Sequence, residues 1–285
     1  MALTENIPNA LTFTALGAKH LDGAAALTRE AGWNETVDDW RMMLSQGTGI
    51  GFTNPDDSLV ASAICLPYDS PFGWISMVLV TRKWRKKGLA TNLLQRCIEI
   101  LEDTGRTPVL DATPDGVPVY TPLGFLPQFG LTRWQAGDRE KRNAEHGSRP
   151  ISPAELPSVL EIDAAVFGGG RARIIKALSS RAPAGCRYMA DGSGFVLARD
   201  GTNAMQIGPL AADTDAAAVA LLADAVDAVG GPVFIDVADD KTVIVDWLQA
   251  NGFTGQRPFT RMAKGRAEPF GRPEKLYAIA GPELG

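Results

Sequence analysis

Five of the six residues from Arg82 to Lys87 (RKWRKK) are basic, in a chain whose 28 Lys and Arg are outnumbered by 33 Asp and Glu. The run stands between an apolar, strand-like segment and Gly88-Leu89-Ala90, where a helix is expected to open. Backbone N–H groups in a first helical turn have no intrahelical acceptor and sit at the positive end of the helix dipole. An anion is their natural ligand. Gly88 lets the backbone come close to a phosphate and Ala90 keeps the turn uncrowded, while Arg82, Lys83, Arg85, Lys86 and Lys87 can meet further negative charge. The expected ligand is a polyphosphate; a solvated charged loop is the plainer alternative. No G-x-x-x-x-G-K-[ST] string occurs, and GIG at 49–51 and GGG at 168–170 lack the third glycine of a dinucleotide fingerprint, so neither ATP nor NAD is indicated.

The elements that must position this loop follow from apolar periodicity. Leu11–Leu16 alternates like a strand, and Ala18–Ala31 and Val37–Leu44 carry helical spacing, the latter with Thr36 as N-cap. Strands are expected at Gly49–Phe52, Leu59–Leu66 and Trp74–Val80, then a helix from Gly88 to about Asp103 whose Leu93, Leu94, Cys97, Ile98 and Leu101 form one stripe against a sheet. A strand at Val109–Ala112, a short helix at Pro118–Leu123 and a strand at Phe125–Thr132 complete an α/β order with a mixed sheet. The polar run Gln135–Pro150 reads as a linker. Beyond it the pattern returns: paired helical stretches in Ser152–Leu178, a hairpin in Gly194–Leu210, a helix at Asp215–Val229, a strand at Val233–Val237, a helix at Lys241–Ala250 and a last strand. VYTPLGF at 119–125 is echoed by WLQANGF at 247–253, each after a strand with one aspartate, Asp111 or Asp236. The chain is a tandem repeat of one fold.

At this point a family comes into view. Val80–Leu94 resembles the acetyl-CoA-binding motif of the GNAT acetyltransferase superfamily, whose core [RQ]-x-x-G-x-[GA] is here Arg85-Lys86-Lys87-Gly88-Leu89-Ala90. A second match, Tyr120-Thr-Pro-Leu-Gly124-Phe125, corresponds to the family's Y-x-x-x-G-F. The resemblance implies a strand, Trp74–Val80, that splays from its neighbour and pairs its backbone at Val78, Leu79 and Val80 with the pantetheine arm of acetyl-CoA. It implies that Arg85 to Ala90, with Thr91, hold the pyrophosphate, and that Arg82, Lys83 and Lys86 reach the 3'-phosphate. Thr113 stands where the family often has a cofactor-binding asparagine. Tyr120 is implied as the acid that protonates the departing thiolate, a phenol of pKa about 10 serving by position. The activity implied is transfer of an acetyl group to a primary amine by direct attack in a ternary complex, with no metal.

On the acceptor side, Trp33, Asn34, Glu35, Asp69 and Asp111 are candidates for substrate contact or general base, with Asp38 and Trp40 near them; for each carboxylate a solvated group or helix cap is the competing reading, for Trp40 core packing. The domains expected are a working module at 1–134, the linker 135–150 and a degenerate copy at 151–285. In the copy, Ile207–Ala218 carries two aspartates where the basic loop should be, and Leu248 replaces the tyrosine. Acceptors in view are a small-molecule amine or amino-acid derivative, then a protein lysine or N-terminus; a non-catalytic acetyl-CoA sensor is the third reading.

Composition sets the outer bounds. A net charge of -5 has the wrong sign for a nucleic-acid-coating protein, and no apolar run is long enough for a membrane partner. Three cysteines cannot close a disulfide framework, two histidines sit at no zinc spacing, and Met1–Ala10 has no apolar signal core. A reducing cytoplasm is the expected compartment.

Overall fold

A computed structural model describes residues 10–143 and 146–285. Two compact units divide the chain, Met1–Val109 and Leu110–Gly285.

In unit 1, β1 (Thr12–Ala15) leads through a 3-10 turn at Ala18–His20 to α1 (Leu21–Ala31) and α2 (Val37–Gln46). The α2 N-terminus is closed as its sequence predicts: Thr36 Oγ1 accepts from Asp39 N–H, and the Asp39 carboxylate accepts from Thr36 N–H in return. Trp40 is core, its indole N–H donating to Thr28 Oγ1 at 2.8 Å. β2 (Thr48–Thr53), β3 (Leu59–Leu66) and β4 (Phe72–Val80) follow as an antiparallel meander beside β1, then α3 (Leu89–Glu102) and β5 (Thr107–Ala112), parallel to β4. The α3 stripe is as expected: Leu89, Leu93, Leu94, Cys97, Ile98 and Leu101 are buried, and the helix packs on β3 and β4. Each such leucine contributes about 1.5–3 kcal/mol. This helix therefore fixes where the basic loop ends.

Unit 2 contains α4 (Val117–Tyr120), a 3-10 turn at Thr121–Leu123, β6 (Phe125–Ala136), β7 (Ser148–Pro150), α5 (Leu156–Phe167), α6 (Ala172–Ser179), β8 (Arg187–Met189), β9 (Gly194–Arg199), β10 (Met205–Ala212), α7 (Asp215–Val229), β11 (Val233–Ala238), α8 (Thr242–Ala250), β12 (Thr254–Lys264) and β13 (Leu276–Ala278). Its strands lie in the order β12-β6-β11-β13-β10-β9-β8-β7. The last strand of the first repeat, β6, thus lies between two strands of the second: Phe125–Gln135 against β12, Leu131–Ala136 against β11. That is why the packing boundary at 109/110 falls before residue 134.

Several described residues of the stretch read as a linker have fixed partners. β6 runs on through Ala136, β7 begins at Ser148, Arg142 N–H donates to Asp227 O, and the N–H groups of His146 and Ser148 donate to the buried Asp224 carboxylate.

Two buried ion pairs stitch the strand exchange. Arg261 of β12 grips Asp111 with two bonds of 2.9 Å, and Arg133 of β6 grips Asp236 of β11 with two of 2.8 Å. Both arginines stand eight residues past a Gly-Phe pair, and both aspartates are the repeat's single strand aspartate. Each repeat's arginine neutralises the other repeat's aspartate.

Candidate functional site

The candidate site of unit 1 is built on β4. β4 pairs with β5 at Phe72↔Thr107, Gly73↔Pro108 and Trp74↔Val109, after which the recorded pairing of the two strands stops. From Ile75 to Val80 the strand continues with β3 alone as its partner within unit 1. Among the described residues no strand is paired with its other backbone edge over this stretch. The register against β3 shifts between Ser62↔Leu79 and Ile64↔Ser76, and Met77 sits in the shift with φ +52°. This bulge turns the strand locally, and Ser62 Oγ fixes it by donating to Met77 O at 2.8 Å. Nothing in the local sequence signals it.

Val80 leads through Thr81 and a 3-10 turn at Arg82–Trp84 to Lys86 (φ +59°) and Gly88 (φ +78°), the α3 N-cap. No side chain caps α3. The first-turn amides of Leu89, Ala90 and Thr91 therefore have no intrahelical acceptor, since the first such bond runs from Asn92 N–H to Gly88 O. Around Gly88 the space is open: a Cβ there would meet nothing within 4 Å. Glycine is required by the left-handed backbone, not by crowding, and the cleared approach is what a phosphate needs.

Arg82, Lys83, Arg85, Lys86 and Lys87 are all exposed, as a cationic rim should be. Three of them already have local partners. Arg82 N–H donates to the Glu30 carboxylate at 2.6 Å, which ties the loop to α1 and makes Glu30 a positioning residue that sequence patterning missed. Arg85 Nε donates to Val80 O at 3.1 Å, so its side chain folds back on the strand end, and Lys87 Nζ lies 4.6 Å from the Trp84 ring centre. Val78 and Val80 are half-buried and Leu79 is buried, and the carbonyl of Val80 is the one that accepts from Arg85.

In the α1–α2 connection, Trp33 is half-buried while Asn34 and Glu35 are buried, so Glu35 is neither a solvated carboxylate nor a cap. The cap is Thr36 with Asp39. Asp69 is exposed, consistent with a solvated group. In unit 2, Asp111 departs from expectation: its side chain is fully buried and both oxygens are taken by Arg261, leaving no free carboxylate for a cleft. Burial holds its pKa above the usual carboxylate range, with Arg261 pulling the other way. The signal that would have shown this lies 150 residues away. Thr113 opens the α4 turn, its carbonyl accepting from Gly116 and Val117 N–H. Tyr120 is half-buried at the end of α4, its ring centre 6.0 Å from that of Phe125.

All three cysteines are buried free thiols. The Cys97 pKa is raised by a side-chain hydrogen bond with Cys65 and by burial, and burial pushes the Cys186 thiol up to about 11. Among the described residues no group of three or more His, Cys, Asp or Glu could hold a metal, and no helix is long and apolar enough to cross a membrane.

A family model for the acetyltransferase (GNAT) family matches residues 24–125, and a second, for an acetyltransferase (GNAT) domain, matches 159–278. The chain is 26% identical over 256 residues to the uncharacterized N-acetyltransferase YitH of Bacillus subtilis (strain 168), covering 84% of this chain and 86% of that one. It is 26% identical over 245 residues to the holothin acyltransferase of a Pseudoalteromonas species (strain SANK 73390), covering 84% and 82%. Among solved structures, a candidate acetyltransferase from Pyrococcus horikoshii superposes with a TM-score of 0.80 at 20% identity over 99% of this chain and 98% of that one. A tandem GNAT protein of the clavulanic acid biosynthesis pathway gives 0.60 at 14% over 89% and 98%. With a GNAT match in each half and the same mixed α/β fold in its structural neighbours, the chain belongs to the GNAT superfamily as a tandem-domain acyltransferase.

Proposed function

We propose that the chain is an acetyl-CoA-dependent N-acetyltransferase, with residues 1–134 as the working module, 151–285 as its degenerate copy, and a primary amine of a small molecule or amino-acid derivative as acceptor. The observation that carries this is the run from the open edge of β4 into the uncapped start of α3. A ligand that is amide-bearing along one length and polyphosphate along the next matches that run, and acetyl-CoA has this construction. The amides of Gly88 to Thr91 and the exposed cations would hold the phosphates; the backbone of Val78–Val80 would pair with the arm, Arg85 releasing the Val80 carbonyl as it turns to the phosphate. The relative named for holothin supports a small acceptor.

In the reaction the amine nitrogen bonds to the thioester carbonyl carbon and gives up a proton to water, the C–S bond breaks, and the thiolate takes a proton. Tyr120 is the donor by its motif position. No buried cysteine is placed to carry the acetyl group first, which supports direct transfer. Unpaired buried thiols also fit a reducing compartment.

The test is release of free thiol from acetyl-CoA across a panel of amines, with Tyr120→Phe beside the parent. A rate loss of about 100-fold or more is expected, with a changed pH–rate profile. An unaltered rate and profile would remove Tyr120 from the mechanism, and binding of coenzyme A without thiol release to any amine would remove the amine acceptor.

A further inference from the structure

Unit 2 repeats the divergence of unit 1 and then fills it. β10 and β11 pair in parallel at Met205↔Val233, Gln206↔Phe234 and Ile207↔Ile235, then separate as β4 and β5 do. Into the gap runs β13, antiparallel to both: Leu210↔Ala278 and Ala211↔Leu276 on one side, Val237↔Ala278 on the other. Ile279 N–H then donates to Asp236 O at 3.0 Å. Gly208 makes room for the segment, since a Cβ there would stand 1.9 Å from Ile279 O.

The segment is buried and anchored. Leu276, Tyr277, Ala278, Ile279, Ala280 and Leu284 are core residues. Arg171, clamped by two bonds to Asp163, also donates to the carbonyls of Leu284 and Gly285, and Glu283 pairs with Arg199 where both are buried.

The charges identify what the cleft reads. At the entry to α7, the counterpart of the basic loop, Asp213 accepts from Lys275 Nζ at 2.7 Å and Asp215 accepts from Tyr277 Oη at 2.8 Å. The loop that should hold a pyrophosphate has reversed sign, and it holds an ammonium and a phenol instead.

We propose that Lys275–Gly285 is the resident ligand of the second module's coenzyme cleft. A β-strand peptide with lysine and tyrosine two residues apart stands where, on the reading of the first module given above, a pantetheine arm and its phosphates stand. The acidic loop is a peptide-reading site, and the chain holds one acyl-CoA rather than two.

Hydrogen exchange on the intact protein tests the resident directly. Amides 277–280 are expected to be protected like those of β10, with or without coenzyme A; exchange as fast as the exposed 54–58 loop overturns the proposal. Lys275→Glu with Tyr277→Phe is expected to lower that protection about tenfold or more while β9 stays protected. Unchanged protection overturns the role of the acidic loop, and if the variant fails to fold the parent's exchange pattern still decides. Calorimetric titration with coenzyme A is expected to saturate at one equivalent. A second equivalent overturns the proposal; none at all overturns the reading of the first module and leaves the exchange pattern to judge the second.

Discussion

Gly88→Ala separates the ligand role of the α3 N-terminus from its contribution to folding. Because the added Cβ meets nothing within 4 Å, its cost in the free protein comes from φ +78° alone, about 1–2 kcal/mol. Gly105, just beyond the other end of α3, offers a matched control: φ +71°, again with open space around a Cβ. It lies about 20 Å away along the 14-residue helix. Both substitutions should lower unfolding free energy by similar amounts in urea titrations. Only Gly88→Ala should impair coenzyme A binding, because its methyl group occupies the approach a phosphate would use. Losing one charge-assisted hydrogen bond, about 1.5–3 kcal/mol, raises Kd about 10- to 150-fold. Calorimetry gives both constants. Wild-type affinity in Gly88→Ala, or an equal loss in Gly105→Ala, would refute the assignment of the α3 N-terminus as the phosphate site.

Two further outcomes follow from buried charge. Asp111→Asn removes the buried carboxylate charge that Arg261 grips with two bonds and should cost about 3–5 kcal/mol, whereas Asp111→Leu combined with Arg261→Leu should cost less than the two single leucine changes summed; a loss under about 1 kcal/mol in Asp111→Asn would contradict the pairing. His20 is held neutral chiefly by burial, with Lys19 adding to it and Asp57 opposing, and its Nδ1 accepts from Gly17 N–H at 3.0 Å, a bond that protonation there abolishes. Since its folded pKa lies below the ordinary value of about 6.5, its contribution to stability is present above that pH and lost as pH falls through the folded value. Thermal melts from pH 7.5 to 5 should show a steeper acid loss in the parent than in His20→Asn, and identical slopes would contradict it.

Features whose cause is local were legible in the sequence. The α3 stripe, the Thr36 cap and the basic loop each depend on residues within a turn or two, and helix α7 matches its expected range, Asp215–Val229. Long-range pairing was not. Asp111 carries no mark of its partner Arg261, and the β4 bulge depends on a serine in the next strand rather than on any special residue at Met77. Gln135–Pro150 reads as a linker without showing that β6 runs on to Ala136 and β7 starts at Ser148, because strand ends and exposed loops share one composition. β13 is three residues long, too short for alternation, and exists only because the gap between β10 and β11 accepts it.

The strand exchange also sets a timetable. β6 leaves the ribosome more than a hundred residues before β12, and at about 5–20 residues per second it waits roughly 6 to 25 s for that neighbour. During that interval its two edges are open to any passing strand. Arg133, toward the end of β6, meets Asp236 only after 103 further residues are made, and a charged side chain on an open strand opposes pairing with a foreign sheet. The same side chain that closes the finished fold guards the unfinished one during synthesis.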